Sequence, residues 1–274
     1  MKTLKLTFIC LFTSLFVSAN VSQIEKDALI ALYNSTQGTE WNTTWDLNTP
    51  VSTWYGVTVK NDKVVSINLF RNNLKGSLPQ ELGNLKYIQG INLGFNKIEG
   101  NLPTSLFNLK ELKSLQLFVN SLDGNIPSEI GQLENLEVLE LFSNTFTGDI
   151  PATIGNLKNL KVLVLGSNFL TGNIPTEISA LNNLEVLSLI DNKLEGQIPS
   201  ELGDLVNLKE LVIGSNALTG NLPSELTNLT NLETIIVSGN QLNNDIASIV
   251  KSNPGEIQMK LHFATDTALA TEED

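Results

Sequence analysis

The chain has 274 residues, of which 41% are hydrophobic, enough apolar material to build a core. It carries 17 Lys and Arg against 29 Asp and Glu, a formal net charge of -12. That balance argues against a nucleic-acid binder, which needs a basic face, and against electrostatic docking to an anionic membrane.

Residues 1–19 read as a secretory signal. Lys2 and Lys5 give a positive start, residues 6–17 are mostly apolar, and Val17-Ser18-Ala19 places small residues before Asn20. The apolar run of about 12 residues falls short of the roughly 20 that a spanning helix needs. Cleavage near Ala19 is therefore expected, with a secreted or cell-surface destination and no membrane span in the mature chain. Cleavage removes Cys10, the only cysteine. Packing and hydrogen bonds must then hold the protein without a disulfide.

Residues 20–63 form the next segment and contain all three tryptophans, Trp41, Trp45 and Trp54. Two uses are open to them. They can cover the exposed edge of whatever follows, as an N-terminal cap. They can also offer flat faces for stacking a sugar. The cap is the favoured reading.

Residues 64–247 repeat. Asn72, Asn96, Asn120, Asn144, Asn168, Asn192, Asn216 and Asn240 stand at a constant interval of 24 with no insertion. Seven glycines, from Gly76 to Gly220, follow four positions after the Asn. Seven of the nine prolines, from Pro79 to Pro223, come three positions later still. A fixed short period of this kind is the signature of a solenoid. The unit reads L-x-x-L-x-L-x-x-N-x-L-x-G-x-I-P-x-x-I-G-x-L-x-N.

Each position has a physical reason. The L-x-L alternation predicts a short strand with one buried face. The Asn amide offers two donors and an acceptor, enough to satisfy buried backbone groups of its own and the adjacent coil. The Gly admits a backbone conformation or a close approach that a side chain would block. The Pro suits a bend or a helical first turn. The I-G-x-L run predicts a short helical or 3₁₀ return. One such coil cannot bury enough surface to fold alone, so neighbours must stack.

Residues 248–274 are expected to form a C-terminal cap and an acidic tail. The last coil already degenerates, with Asn244 in place of the Gly and Ala247 in place of the Pro. Residues 257–263 alternate and suit a covering strand. Residues 271–274 are acidic and suit a solvated end.

The pattern resembles the plant-type leucine-rich repeat family, over about eight coils in residues 64–247. The preceding segment is similar to that family's N-terminal cap at Glu25-Lys26-Asp27-Ala28-Leu29, Trp41, Trp45 and Trp54-Tyr55-Gly56-Val57-Thr58-Val59. Plant members carry a cysteine pair around the last motif, where this chain has Ser52 and Val59. That departure favours a bacterial secreted homologue. The resemblance takes in receptor ectodomains and inhibitors of pectin-degrading enzymes. It implies an α/β solenoid, a right-handed superhelix with a parallel sheet on its concave face and a cap at each end. It also implies recognition of a protein, peptide or glycan rather than catalysis.

The residues themselves give little sign of chemistry. His262 is the sole histidine, which leaves no His-based triad or multi-His metal site. No phosphate-cradling glycine motif occurs in a suitable setting, because the repeat accounts for the glycines. No catalytic residue, cofactor or metal is implied.

Binding is better supported. Alternate strand residues face outward, which brings Phe70, Phe118, Phe142 and Ile190 to the concave side, with Phe95 next along. Val164 and Val212 sit between the two strand leucines of their coils. Apolar residues in register across coils make a patch, and aromatic anchors are typical of hot spots. These seven residues are the candidate partner site for a protein or peptide. The alternative is that the phenylalanines pack sideways between coils.

Overall fold

The computed structural model describes residues 21–243. The expected signal, the C-terminal cap and tail, Cys10, Asn244, Ala247 and His262 lie outside the described residues.

The helix Gln23–Ser35 opens the fold. Ser22 caps it: its Oγ accepts from the Glu25 backbone N–H at 3.4 Å and donates to Glu25 Oε2 at 2.7 Å. Glu25 is only 3% exposed, and its Oε1 accepts the Val64 backbone N–H at 3.0 Å. One buried carboxylate thus ties the helix to the first strand of the repeats. Trp41, Trp45 and Trp54 are 3–5% exposed and pack on one another, with ring centroids 4.9 and 4.8 Å apart for successive pairs. Their nitrogens donate to the Thr36, Tyr55 and Asp46 carbonyls. Buried on these faces, the indoles leave no platform for a sugar.

A nine-stranded sheet follows. Val57–Lys60 pairs antiparallel with Lys63–Asn68. From there the sheet is parallel, through Gly90–Asn92, Ser114–Gln116, Val138–Glu140, Val162–Val164, Val186–Ser188, Glu210–Val212 and Thr234–Ile236. Each residue pairs with the one a full repeat later, as Leu115 does with Leu139 and Leu139 with Leu163. The central residue of every parallel strand is buried and its two neighbours face out, as the alternation predicts.

The returns are 3₁₀ throughout, from Gln80–Asn84 to Ser224–Asn228. Each starts at the repeat's Pro, whose carbonyl accepts an N–H three residues on, as in Ile130 N to Pro127 O at 3.0 Å. The stretch after the Asn forms shorter parallel ribbons that the strand alternation did not predict. Lys75–Gly76, Lys97–Gly100 and Ser121–Leu122 make one of them.

The ladder asparagines stitch the coils together. Asn168 Nδ2 donates to Leu165 O in its own coil at 3.0 Å and to Leu141 O in the previous coil at 3.1 Å. Its Oδ1 accepts from Phe146 N at 3.1 Å. Asn96, Asn120, Asn144, Asn192, Asn216 and Asn240 repeat this pattern. Asn72 has no earlier coil, and its amide exchanges hydrogen bonds with the Thr43 backbone at 2.7 and 3.1 Å. Among the described residues, no buried side-chain nitrogen or oxygen lacks a partner.

Candidate functional site

The concave face begins with a chain of four rings. Phe70 and Phe95 meet edge to face at 5.4 Å, Phe95 and Phe118 do so at 5.8 Å, and Phe118 stacks on Phe142 at 4.8 Å and 4°. The rings differ in exposure. Phe70 and Phe95 are 40% and 47% exposed, whereas Phe118 and Phe142 are half-buried. Phe118 leans back over the preceding coil, where Gly94 makes room. A Cβ on Gly94 would stand 2.7 Å from the Phe118 Cζ. Ile190 leans over Gly166 in the same way, at 2.8 Å. Val164 and Val212 are half-buried at the ends of their strands. The structure thus brings Phe70, Phe95, Phe118 and Phe142 together, and sets Val164, Ile190 and Val212 further along the sheet. Packing between coils and exposure divide the phenylalanines rather than describing all four.

Two hollows flank the exposed rings. A hollow of about 450 Å³ is lined by Tyr55, Gly56, Asn68, Phe70 and Asn92. Another, of about 200 Å³, is lined by Asn42, Arg71, Asn73, Phe95, Asn96 and Lys97.

A row that the sequence pattern did not single out borders this face. Arg71, Phe95, Val119, Ser143, Ser167, Asp191 and Ser215 all have left-handed backbones, with φ between 52° and 57°. L-residues rarely accept this region, and β-branched ones least of all. Here it extends the inter-coil bonding past the end of each strand. Arg71 N donates to Gly94 O, Phe95 N to Phe118 O and Val119 N to Phe142 O, each at 2.9 Å. The reversal also turns the next residue, the ladder Asn, inward. Gly239 occupies the same phase, with φ 72°. It is the sole sequence signal that this position is left-handed, because the other coils fill it with ordinary residues.

A second amide ladder runs along the flank ahead of the strands. Asn135, Asn159, Asn183, Asn207 and Asn231 each donate from Nδ2 to a backbone carbonyl of the preceding coil at 2.8–2.9 Å. The last Asn of the repeat unit marks them, yet nothing in the sequence alone gave them a task.

Charged residues alternate along the neighbouring edge. Lys161 Nζ meets Glu137 at 2.8 Å, Lys113 meets the same carboxylate at 3.8 Å, and Lys209 meets Glu185 at 2.6 Å. The hydrogen bond from Lys161, then its charge, holds the Glu137 carboxyl below the usual range, and Lys209 does the same to Glu185. The partner lysines are raised by the same contacts. These groups are exposed and pair across coils, which assigns them to the scaffold rather than to a reaction.

Among the described residues, no group of His, Cys, Asp and Glu is placed to hold a metal, and no helix is long and apolar enough to cross a membrane.

Comparison with known proteins agrees with this fold. A curated relative, a probable leucine-rich repeat receptor-like protein kinase of Arabidopsis thaliana, is 39% identical over 90 residues, which are 31% of this chain and 9% of the kinase. The crystal structure of PEPR1–AtPEP1 superposes with a TM-score of 0.74 at 33% identity, over 79% of this chain and 31% of that one. The plant peptide hormone receptor RGFR1 in complex with RGF2 gives a TM-score of 0.62 at 39% identity, over 62% of this chain and 27% of that one. The chain therefore spans under a tenth of the kinase and less than a third of each receptor chain. The profile described as a leucine-rich repeat region matches residues 67–167 and 117–266. With that match over most of its length, and with plant receptors as its relatives and structural neighbours, the chain belongs to the plant-type leucine-rich repeat family.

Proposed function

We propose that this protein is a secreted, non-catalytic recognition module that binds a protein or peptide along the concave face of its solenoid. The observation that carries this reading is the exposure of Phe70 and Phe95, at 40% and 47%, at the head of a continuous chain of rings. Large exposed apolar groups clustered on one face are the usual anchors of an interface. One neighbour is a plant peptide hormone receptor in complex with RGF2, which supports a peptide as the ligand class. The secretory character of residues 1–19 supports an extracellular setting. The repeat gives its asparagines and glycines structural tasks, which supports binding over catalysis.

The test is affinity capture from secreted and surface extracts, using the wild-type chain and a Phe70→Asp/Phe95→Asp variant. Both residues are exposed, so the variant should keep its circular dichroism spectrum. A partner captured by the wild type alone supports the reading. Equal capture by both sinks the concave assignment, and no capture by either sinks the recognition reading.

A further inference from the structure

Tyr55 and Phe70 both line the larger hollow, where the N-terminal cap meets the first coil. Both rings are exposed, Tyr55 at 49%. Neither is loosely held. Trp45 Nε1 donates to the Tyr55 carbonyl at 2.8 Å. Gly56 follows with φ 74°, and its carbonyl accepts the Asn68 N–H at 2.7 Å. A Cβ on Gly56 would collide with the Asn68 carbonyl oxygen, so the glycine is what lets the cap approach the strand this closely. Phe70 is braced by Phe95 at 5.4 Å and by Phe118 at 6.1 Å.

Two amides, Asn68 and Asn92, complete the lining. Asn68 Oδ1 accepts from Phe70 N at 3.2 Å, and Asn92 Oδ1 accepts from Gly94 N at 3.1 Å. The amide oxygens are thereby used within the fold, whereas neither Nδ2 has a hydrogen-bond partner among the described residues. Each Nδ2 carries two donors. No charged residue lines this hollow, while Arg71 and Lys97 line the smaller one. At about 450 Å³ it lies within the range of small-ligand sites, about 300–1,000 Å³.

These features select a ligand by exclusion. Exposed aromatic rings call for an apolar face to lie against them. Free donors without a charge call for neutral oxygen acceptors. A carboxylate or phosphate would lose hydration here with no cation to replace it, and the smaller hollow would serve it better. A purely apolar ligand would bury the amides without partners. A pyranose meets both demands, with a face of C–H groups and a rim of uncharged oxygens. We infer that the hollow between the cap and the first coil is a subsite for a neutral pyranose sugar. The sugar stacks on Tyr55 and Phe70, and its oxygens accept from the Nδ2 groups of Asn68 and Asn92. This goes beyond the recognition of a protein or peptide, because Tyr55, Asn68 and Asn92 lie outside the seven residues assigned to that partner.

The test is a binding screen of the full chain against two sets of neutral oligosaccharides. One set comes from wall polysaccharides (cello-, xylo-, manno- and galacto-oligosaccharides), the other is released from glycoproteins, and oligomers of uronic acids serve as charged controls. Saturation-transfer NMR reads contact and titration reads affinity. The expected result is binding of a neutral oligosaccharide and not of the charged ones, with the saturation received on the sugar's C–H protons. The set that binds identifies the source of the sugar. Tyr55→Ala should weaken binding about tenfold, and Tyr55→Trp should keep it. Asn68→Ala should weaken it about fivefold. Tyr55 and Asn68 are exposed, so these variants should keep the circular dichroism spectrum. Neutral-sugar binding that Tyr55→Ala leaves unchanged overturns the site. Binding of the charged oligomers alone, or of no oligosaccharide, overturns the ligand class. A protein partner captured by a chain that binds no oligosaccharide leaves the recognition reading standing without the sugar subsite.

Discussion

Phe118 lies over Gly94, so close that a methyl group on Gly94 would stand 2.7 Å from the ring. The bare glycine of one coil is what lets the aromatic of the next lie down and stack on Phe142. Gly94→Ala should push the ring out of this seat. Overpacking of this kind costs about 1–3 kcal/mol, read as a lower urea midpoint. A midpoint unchanged from the wild type would mean that the ring yields freely and that Gly94 is not needed for the stack.

Val119 holds φ at 52°, a conformation that is costly for a β-branched residue. Gly239 meets the same requirement without that cost. Glycine loses more freedom on folding, which offsets part of the gain. Val119→Gly should still raise stability by about 0.5–1 kcal/mol in equilibrium denaturation. A loss of stability would mean that the Val119 side chain contributes more packing than its backbone costs.

Asn168 is 5% exposed and bonds to the Leu141 and Leu165 carbonyls and to Phe146 N. Asn168→Leu leaves Phe146 N buried without a partner, at about 1–3 kcal/mol, while Asn144 and Asn192 still bond the Leu141 and Leu165 carbonyls. Because each coil contacts only its neighbours, the break should also split unfolding into two phases. Calorimetry checks both effects. A single transition with a small shift would show that the flank ladder and the sheet carry the junction without Asn168.

The exposed ion pairs should matter little and in a defined window. Glu137 and Glu185 are lowered by their lysines, so their contribution is present above the unfolded carboxyl range and lost as pH falls through the folded value. Lys161 and Lys209 are raised, so theirs is present below the unfolded lysine range and lost as pH rises through the folded value. Lys161→Met/Lys209→Met should therefore lower Tm slightly at neutral pH and low salt. That difference should vanish below the carboxylate range, near about 4, and in concentrated salt. A difference that persists in acid would point to packing of the lysine stems instead.

The solenoid was legible because a solenoid writes its geometry as a period. Leu115 and Leu139 pair in the sheet since they share a phase. The task of Asn168 follows from its place at the strand's end. The rest was hidden for physical reasons. The left-handed row is occupied by Arg, Phe, Val, Ser and Asp, whose identities reveal nothing about φ until Gly239. The flank asparagines were visible as a period, but a donor's acceptor in the neighbouring coil is not written in its own coil. Phe70 and Phe118 hold the same phase, and only the lean of Phe118 onto Gly94 separates a half-buried ring from an exposed one. Rotamers depend on neighbours that sequence spacing does not order.

The uninterrupted 24-residue period makes the solenoid a ruler with one graduation per coil. Excising one whole unit, such as residues 144–167, rejoins matching phases and leaves the chemistry of the remaining coils in place. The distance between any two side chains on either side of the cut then shrinks by one step of about 4.8 Å. An extended ligand that touched coils on both sides of the cut would have to be shorter by one or two residues. Chains of this kind can thus change the length of what they measure in whole increments, without redesigning the contacts at either end.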